Sequence, residues 1–145
     1  MKKVVKTASV MILNNHKILL LLRDDRPDLV NPNTWCLIGG YVENKESEKA
    51  AAHREAKEET GLSLDRLDYI GTHEYTKGYT TATFLSVVSD LLAKEAKLGD
   101  EGQEIRFFSF DELSKVPLSG SIRKYYNDYQ EELKSLMETE EPKRF

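Results

Sequence analysis

Two long apolar runs open the chain and predict a pair of strands. Residues 4–13 and 17–22 are rich in Val, Ile and Leu, and residues 14–16 between them are Asn, Asn and His. Short apolar runs of this kind, bounded by residues that favour turns, are typical of β-strands. The beginning of the chain is therefore predicted to form a β-hairpin.

The pattern then becomes polar before strand-like segments return. Residues 24–33 contain Asp, Asn and two prolines, which indicates an exposed loop long enough to cover a site. Residues 34–38 predict a short strand, which Gly39 and Gly40 are expected to break, and residues 41–43 predict a short extended piece. The polar loop and the two glycines together delimit a short central strand.

A second hairpin and a further strand are predicted in the second half of the chain. Residues 67–76 and 80–89 are two β-like runs separated by a turn at residues 77–79, and residues 105–110 form another apolar run. The charged stretch that precedes this last strand is expected to be a loop with one helical turn. These segments supply the remaining strands of a sheet.

Two segments have helical signals. Ser47 is a plausible N-cap and Gly61 a plausible C-terminal stop for a helix over residues 47–60. Apolar residues recur at spacings of three and four over residues 122–137, which predicts an amphipathic helix packed on a sheet. The sequence thus predicts an α/β fold, an α/β/α sandwich over residues 1–138, followed by a charged, frayed tail at 139–145.

Composition narrows the class of protein. The 145 residues fit one domain, and 25 acidic against 21 basic residues give a net charge of −4, which disfavours binding to a nucleic acid polymer. Cys36 is the one cysteine, so no internal disulfide can form, and the cytoplasm is the expected compartment. Apolar runs are too short for a membrane span, so no membrane partner is expected.

The helix over residues 47–60 concentrates carboxylates on one face. At about 100° per residue, Glu58 and Glu59 lie about −60° and +40° from Glu55. Two carboxylates about 6 Å apart repel by about 3 kcal/mol at an effective dielectric near 20, so a cation is expected there. On this wheel Arg54 and Lys57 lie away from the centre of the cluster, and a hard divalent ion such as Mg²⁺ matches oxygen ligands better.

Small residues on the same helix support this interpretation over the alternative of an ordinary charged surface helix. Ala51, Ala52 and Ala56 lie between or beside the carboxylates, where a solvated face would have Lys and Gln. They predict that this side of the helix is buried against a neighbour.

The carboxylates also occur in a fixed frame with the glycines. The frame is Gly40, five residues, Glu46, seven residues, then Arg54 to Leu62 as REAKEETGL. It resembles the Nudix box of the Nudix hydrolase superfamily, G-x5-E-x7-R-E-U-x-E-E-x-G-U, at eight of its nine specified positions. Ala56 is the departure, because a bulky aliphatic residue is usual there. The likeness extends to residues 34–40, similar to the family's W-x-L-P-G-G segment, and to residues 101–113.

The resemblance implies a fold, a reaction and site residues. The implied fold is a mixed sheet between helices, and the implied reaction is hydrolysis of a nucleoside diphosphate linked to another group. Implied ligands of Mg²⁺ or Mn²⁺ are Glu55, Glu58, Glu59 and the Gly39 carbonyl. The implied general base is Glu55, or alternatively Glu101 or Glu104. Arg54 and Glu46 would brace the loop and the helix.

Several residues have more than one possible role, and more than one function fits the sequence. Arg23 is a candidate for a substrate phosphate, against an ordinary surface arginine. The position of Trp35 indicates packing in the core or a loop over stacking on a base. Cys36 has no recognisable catalytic partner in the sequence. Tyr75, Tyr79 and Phe84 either line a nucleotide pocket or pack in the core. Alternative functions are a non-catalytic nucleotide-sensing module and a prenyl-diphosphate isomerase. The substrate within the family is undetermined, and a homodimer is one of the open oligomeric states.

Overall fold

A computed structural model describes residues 4–145 and shows a six-stranded mixed sheet between two layers of helices. The first three residues of the predicted domain lie outside the described residues. The strands are β1 Val5–Asn14, β2 Lys17–Leu22, β3 Trp35–Tyr41, β4 Asp68–Thr76, β5 Tyr79–Val87 and β6 Glu104–Phe108. The helices are α1 Glu48–Thr60, α2 Asp90–Ala93, α3 Phe110–Leu113, α4 Gly120–Asp128 and α5 Gln130–Thr139.

Strand order places β1 near the middle of the sheet. The order is β4-β5-β1-β3-β2-β6, and β1 pairs in parallel with β5 from Val5 opposite Tyr79 to Leu13 opposite Val87. The other pairings are antiparallel. The two predicted hairpins, β1–β2 and β4–β5, are confirmed, and β4 and β6 are the edge strands.

Each face of the sheet buries its own apolar cluster. On one face Ala51, Ala52 and Ala56 of α1 are fully buried against strand residues such as Val10 and Ile12. On the other face α4 and α5 bury residues including Ile122, Tyr125, Leu133 and Leu136. The predicted α/β/α sandwich is therefore confirmed, with α1 and the short α2 on one face and α3, α4 and α5 on the other. No helix within residues 4–145 has the length and apolar character needed to cross a membrane.

Local signals define α1 as the sequence predicts. The Ser47 hydroxyl accepts a hydrogen bond from the Ala50 N–H at 3.0 Å, and Gly61 follows the helix in the left-handed region at φ 75°. A side-chain acceptor at the N-cap and a glycine at the C-terminal stop satisfy backbone groups that a helix end leaves unpaired. The carboxylate-bearing helix is therefore fixed at both ends.

The prediction that Gly39 and Gly40 break the strand is wrong. Both lie inside β3, opposite Ser9 and Ala8 of β1. A Cβ at Gly39 would come within 2.2 Å of the Ala8 carbonyl oxygen, so glycine here permits close strand packing. The two glycines continue the strand beneath α1.

The end of the chain also differs from its prediction. The predicted single helix is two helices, α4 and α5, separated at Tyr129 with φ −132° and ψ 40°. The tail is predicted to be frayed, but the Phe145 N–H donates to the Ile70 carbonyl at 2.8 Å, and its ring packs against the α4–α5 side of the core. The end of the tail is thus docked on β4.

Candidate active site

Arg54 ties α1 to the loop that precedes it. Its guanidinium donates to both carboxylate oxygens of Glu46, at 2.8 and 3.0 Å, and to the Tyr41 carbonyl at 2.9 Å. The Glu46 carboxylate also accepts from the Glu43 N–H at 3.0 Å. A two-point arginine–carboxylate contact fixes orientation as well as distance. The loop between β3 and α1 is therefore held in one shape.

The same guanidinium reaches the carboxylate face of α1. Arg54 Nη1 lies 2.9 Å from Glu55 Oε1 and 3.3 Å from Glu58 Oε2. The helical wheel, which places Arg54 away from the centre of the cluster, is misleading because the long side chain folds back over it. The hydrogen bond to Glu46, and then the contact with Glu55, raise the pKa of Arg54, so its guanidinium is always charged. Arg54 therefore neutralises part of the negative charge of this face.

Gly39 and Gly40 lie directly against the carboxylates of Glu59 and Glu55. The Gly39 N–H donates to Glu59 Oε1 at 2.8 Å. A Cβ at Gly40 would lie 2.5 Å from Glu55 Oε1, so only glycine leaves room for that side chain. Burial, and then the neighbouring carboxylates of Glu55, Glu101 and Glu58, raise the pKa of Glu59 to about 8. The face therefore holds more carboxylate than its surroundings can stabilise as anions.

The loop that follows α2 and packs against the end of α1 carries Glu101 towards the cluster, whereas Glu104 is paired elsewhere. Gly99 packs so closely on α1 that a Cβ there would lie 2.0 Å from the Glu58 carbonyl oxygen. Glu101 follows on this loop and raises the pKa of both Glu55 and Glu59. Glu104, in contrast, begins β6 and pairs with Arg106 at 2.7 Å. Of the two alternative bases, Glu101 is the one whose charge acts on Glu55 and Glu59.

The oxygen atoms of this cluster are of the kind that a divalent cation binds, but their arrangement has to be considered as well. Carboxylate and carbonyl oxygens are the ligands that Mg²⁺ and Mn²⁺ prefer. Among residues 4–145, however, no three acidic, His or Cys side chains are already arranged around a common metal position. Arg54 holds Glu55 and Glu58, and Glu59 is turned to Gly39. Because the Glu58 side chain is 57% exposed, it can rotate away from Arg54, and the residues fit an ion on that condition.

The Arg54–Glu46 contact predicts a pH dependence of stability. The hydrogen bond from Arg54 lowers the pKa of Glu46 from 4.5 to about 2. A carboxyl whose pKa is depressed by folding stabilises the folded state above its unfolded pKa, and that contribution is lost as pH falls through the folded pKa. We expect the melting temperature to fall between pH 4.5 and 2, and Glu46→Gln to flatten part of that fall. An unchanged acid profile in Glu46→Gln would contradict this assignment.

A cavity of about 360 Å³ opens on the α4 side of the sheet, next to the carboxylate face. Its floor includes paired hydroxyls, with Thr7 and Thr81 oxygens 2.7 Å apart. Residues around its walls and rim include Arg23, Val30, Tyr41, Tyr75, Tyr79 and Ser121. Gly39 and Gly40 also line it, and the same two glycines lie against the carboxylates of Glu59 and Glu55. These glycines therefore border both the polar cavity and the acidic side chains of α1.

Arg23 is the cationic side chain among those lining this cavity. Its Nε is buried and has no hydrogen-bond partner among residues 4–145. The Arg23 carbonyl accepts from the Gln103 side chain at 2.8 Å, and the same amide donates to Asn33 Oδ1 at 3.0 Å. Gln103 therefore fixes the exit of β2 against the 24–33 loop. Sequence reasoning missed Gln103 because only the β2–β6 pairing brings it there.

The structure also places the aromatic residues and the cysteine. Trp35 is buried with its ring edge-on to Phe108, the centroids 4.7 Å apart, and Phe84 is buried in the α1-side core. Tyr75 and Tyr79 line the cavity instead. Burial, and then the charge of Glu59, raise the pKa of the Cys36 thiol to about 12. Cys36 is therefore a neutral thiol in the wall of the site and not an activated nucleophile.

Comparison with known proteins shows similar sequences of named activity. The chain is 32% identical over 108 residues to the ADP-ribose pyrophosphatase of Methanocaldococcus jannaschii, which covers 73% of this chain and 62% of the relative. It is 27% identical over 122 residues to the NAD-capped RNA hydrolase NudC of Pseudomonas aeruginosa, covering 80% and 43% respectively. The chain thus spans less than two thirds of the length of these relatives.

A solved structure and a family model agree with these relatives. The MutT protein of Methanosarcina mazei Go1 superposes with a TM-score of 0.73 at 26% sequence identity, covering 90% of this chain and 96% of that one. The family model described as the NUDIX domain matches residues 3–129, which include every strand and the whole of α1. The resemblance seen in the sequence is confirmed, and the chain belongs to the NUDIX domain family.

Proposed function

We propose that the protein hydrolyses the pyrophosphate linkage of a nucleoside diphosphate derivative, with water attacking phosphorus and Mg²⁺ or Mn²⁺ as cofactor. The observation that carries this proposal is the junction at Gly39 and Gly40. There the same two glycines line a cavity large enough for a nucleoside and lie against the acidic side chains of Glu59 and Glu55. A nucleoside in the cavity would present its phosphates to that face.

The chain's own residues have distinct roles in this proposal. Glu55, Glu58, Glu59 and the Gly39 carbonyl would hold the cation. When bound, such an ion neutralises pyrophosphate oxygens and lowers the pKa of a bound water. Arg54 and Glu46 hold α1 and its preceding loop in a fixed relative position, so that the carboxylates would face the substrate. Arg23 would donate to a phosphate oxygen from the cavity wall.

The proton of the attacking water needs a carboxylate acceptor. Glu55 is mostly buried, its pKa is raised by that burial, and it is bound to Arg54. Glu101 is exposed and faces the same cluster from a loop. Both fit a general base by position, whereas the ion pair with Arg106 directs Glu104 elsewhere. Glu55 and Glu101 are therefore the two bases to be compared, and Glu104 is given no catalytic role.

The substrate proposal is a small nucleotide derivative such as an ADP-ribose-like molecule. Two relatives are named for ADP-ribose and for NAD-capped RNA, which share a nucleoside diphosphate joined to a second group. The net charge of −4 favours the small molecule over an RNA chain. The prenyl-diphosphate isomerase alternative is disfavoured because the one cysteine is a neutral thiol with a raised pKa. A sensing module is the remaining alternative.

A hydrolysis screen tests this function. Nucleoside triphosphates, nucleotide sugars, ADP-ribose and dinucleotides would be incubated with the protein and Mg²⁺ or Mn²⁺, and the products resolved by chromatography. We expect a nucleoside monophosphate as one product and no reaction with chelator present. Binding of nucleotide and metal without turnover of any compound would support the sensing module instead.

Arg23 allows a sharper test of the cavity. A hydrogen bond to a charged group contributes about 1.5–3 kcal/mol, so Arg23→Gln is expected to raise KM about 10- to 100-fold. Arg26→Gln is the matched control, because Arg26 belongs to the same segment but pairs with Asp28 at 3.5 Å on the surface. Steady-state kinetics of both variants check this. Equal KM values for the two variants would remove Arg23 from the site.

A further inference from the structure

The cavity has one wall on a loosely held edge strand. β4 pairs only with β5, and its register shifts between Tyr69 and Gly71 and again between His73 and Thr76. Tyr75 lies within the second irregular stretch and lines the cavity. Irregular pairing on an edge strand leaves few backbone hydrogen bonds to fix such a side chain. Other contacts are needed to hold Tyr75 in place.

Residues 144 and 145 provide contacts on the open side of β4. The Phe145 N–H donates to the Ile70 carbonyl at 2.8 Å, which is a strand-like contact with the free edge. The Arg144 guanidinium lies over the Tyr69 ring, 4.7 Å from its centroid. Close approach is possible because Gly71 has no side chain, and a Cβ there would lie 2.9 Å from the Phe145 carbonyl oxygen. We call residues 144–145 the strap.

The Phe145 ring joins β4 to α4 through an aromatic cluster. Its centroid lies 4.9 Å from that of Tyr125 and 5.7 Å from that of Tyr129. His73 completes the cluster, 5.4 Å from Tyr125 and 5.3 Å from Tyr129. Aromatic pairs at these separations are mutually stabilising. The strap therefore contacts the helix directly and the strand through its backbone, and it holds the two together.

The strap contacts β4 and α4, and both of these elements contribute residues to the cavity lining. His73 precedes Tyr75 by two residues on β4, and Tyr125 belongs to α4, whose first residues Gly120 and Ser121 line the cavity. Tyr75 also faces Gly120, with a ring carbon 4.0 Å from the position of a Cβ there. The separation between β4 and α4 thus sets this side of the cavity.

We propose that the strap is a positioning element that fixes Tyr75 and the start of α4 for substrate binding. Phe145 and Arg144 do not themselves line the cavity, and they act through the aromatic cluster and the β4 edge. The effect on substrate rests on the proposed hydrolase function, whereas the effect on β4 and α4 does not. The two can therefore be tested separately.

Hydrogen exchange measured by mass spectrometry tests the positioning itself. Phe145→Ala is expected to make exchange about tenfold faster in peptides covering residues 72–80 and 120–128, with α1 unchanged, because a local opening becomes easier. Lys143→Ala is the matched control, since the one hydrogen bond of the Lys143 side chain among the described residues is to the Ser135 hydroxyl, at 3.3 Å. Faster exchange confined to residues 140–145, or spread equally over the whole chain, would overturn the proposal.

Kinetics then test the consequence for substrate. Phe145→Ala is expected to raise KM about three- to tenfold with kcat nearly unchanged, the range of one aromatic contact, and Phe145→Tyr is expected to restore KM. A fall in kcat at constant KM, or a lower melting temperature without a KM change, would overturn the proposal. If the wild-type protein hydrolyses no nucleotide, the hydrolase function fails, and the exchange result still decides the role of the strap.

Discussion

Glu58→Gln is expected to reduce kcat by about 10³-fold, because stabilisation of pyrophosphate charge by a held cation is worth several kcal/mol. The substitution keeps the size of the side chain and removes its charge. The Glu58 side chain is 57% exposed and bonds only Arg54, at 3.3–3.4 Å, among residues 4–145. Folding should therefore be preserved, and the melting temperature should stay close to that of the wild type. Initial rates at saturating substrate and Mg²⁺ measure the effect.

Glu48→Gln is the matched control for this prediction. Glu48 lies two turns before Glu55 on nearly the same side of α1, and it forms no ion pair among residues 4–145. Its substitution changes the helix charge by the same amount and should leave kcat within about twofold, as expected of a surface position. Similar losses in both variants would point to a general charge effect, and full activity in Glu58→Gln would show that the metal site is misplaced.

Gly40→Ala is expected to reduce activity by about 10²-fold, since small displacements of catalytic groups carry costs of that size. The added Cβ would lie 2.5 Å from Glu55 Oε1 and 2.6 Å from its carboxyl carbon. The end of a flexible side chain can move, so Glu55 would leave Arg54 while β3 stays intact. We expect a small change in melting temperature together with a large loss of kcat.

Gly39→Ala is the contrasting variant, because the atoms that an added Cβ would meet there belong to the backbone. A Cβ there would meet the Ala8 carbonyl oxygen at 2.2 Å and the Ser9 Cα at 2.7 Å, and neither can move without disturbing β1. This variant should lose several degrees of melting temperature as well as activity, as overpacked sites do. If Gly40→Ala were as destabilised as Gly39→Ala, the loss of activity could not be assigned to Glu55.

Features encoded locally could be predicted from the sequence. The caps Ser47 and Gly61 delimit α1, and the alanines at 51, 52 and 56 are buried where the helical period places them. The turn residues Asn15 and His16 adopt positive φ values, 50° and 62°, between the paired strands β1 and β2. In each case the information lies within a few residues of the feature, so no knowledge of the tertiary fold is needed.

Features that depend on distant partners could not be predicted. Gly39 and Gly40 signal a break by composition, yet pairing with β1 keeps them in the strand. The contact of Phe145 with Ile70, 75 positions away in the chain, has no signal in the charged tail sequence. A helical wheel places side chains by their Cα direction, and it therefore misses the reach of Arg54 across the carboxylates.

The candidate site likewise contains some residues that local sequence predicts and others that it does not. The carboxylates of α1 are recognisable because their spacing is fixed by one helix. The hydroxyl pair of Thr7 and Thr81 on the cavity floor arises from the parallel pairing of β1 with β5, across 74 positions of sequence. The choice between Glu101 and Glu104 likewise required the structure, since both lie in one short segment, but the charge of Glu101 acts on Glu59 whereas Glu104 is paired with Arg106.

A calorimetric titration of the metal-free protein with Mn²⁺ or Mg²⁺, alone and with a nucleoside monophosphate present, tests directly whether α1 holds a cation. We expect uptake of at least one equivalent by the wild-type protein. We also expect loss of that uptake when Glu55, Glu58 and Glu59 are all replaced by Gln. Absence of Mn²⁺ and Mg²⁺ binding under both conditions, or equal binding by the triple variant, would contradict the proposal that the acidic face of α1 holds a divalent ion.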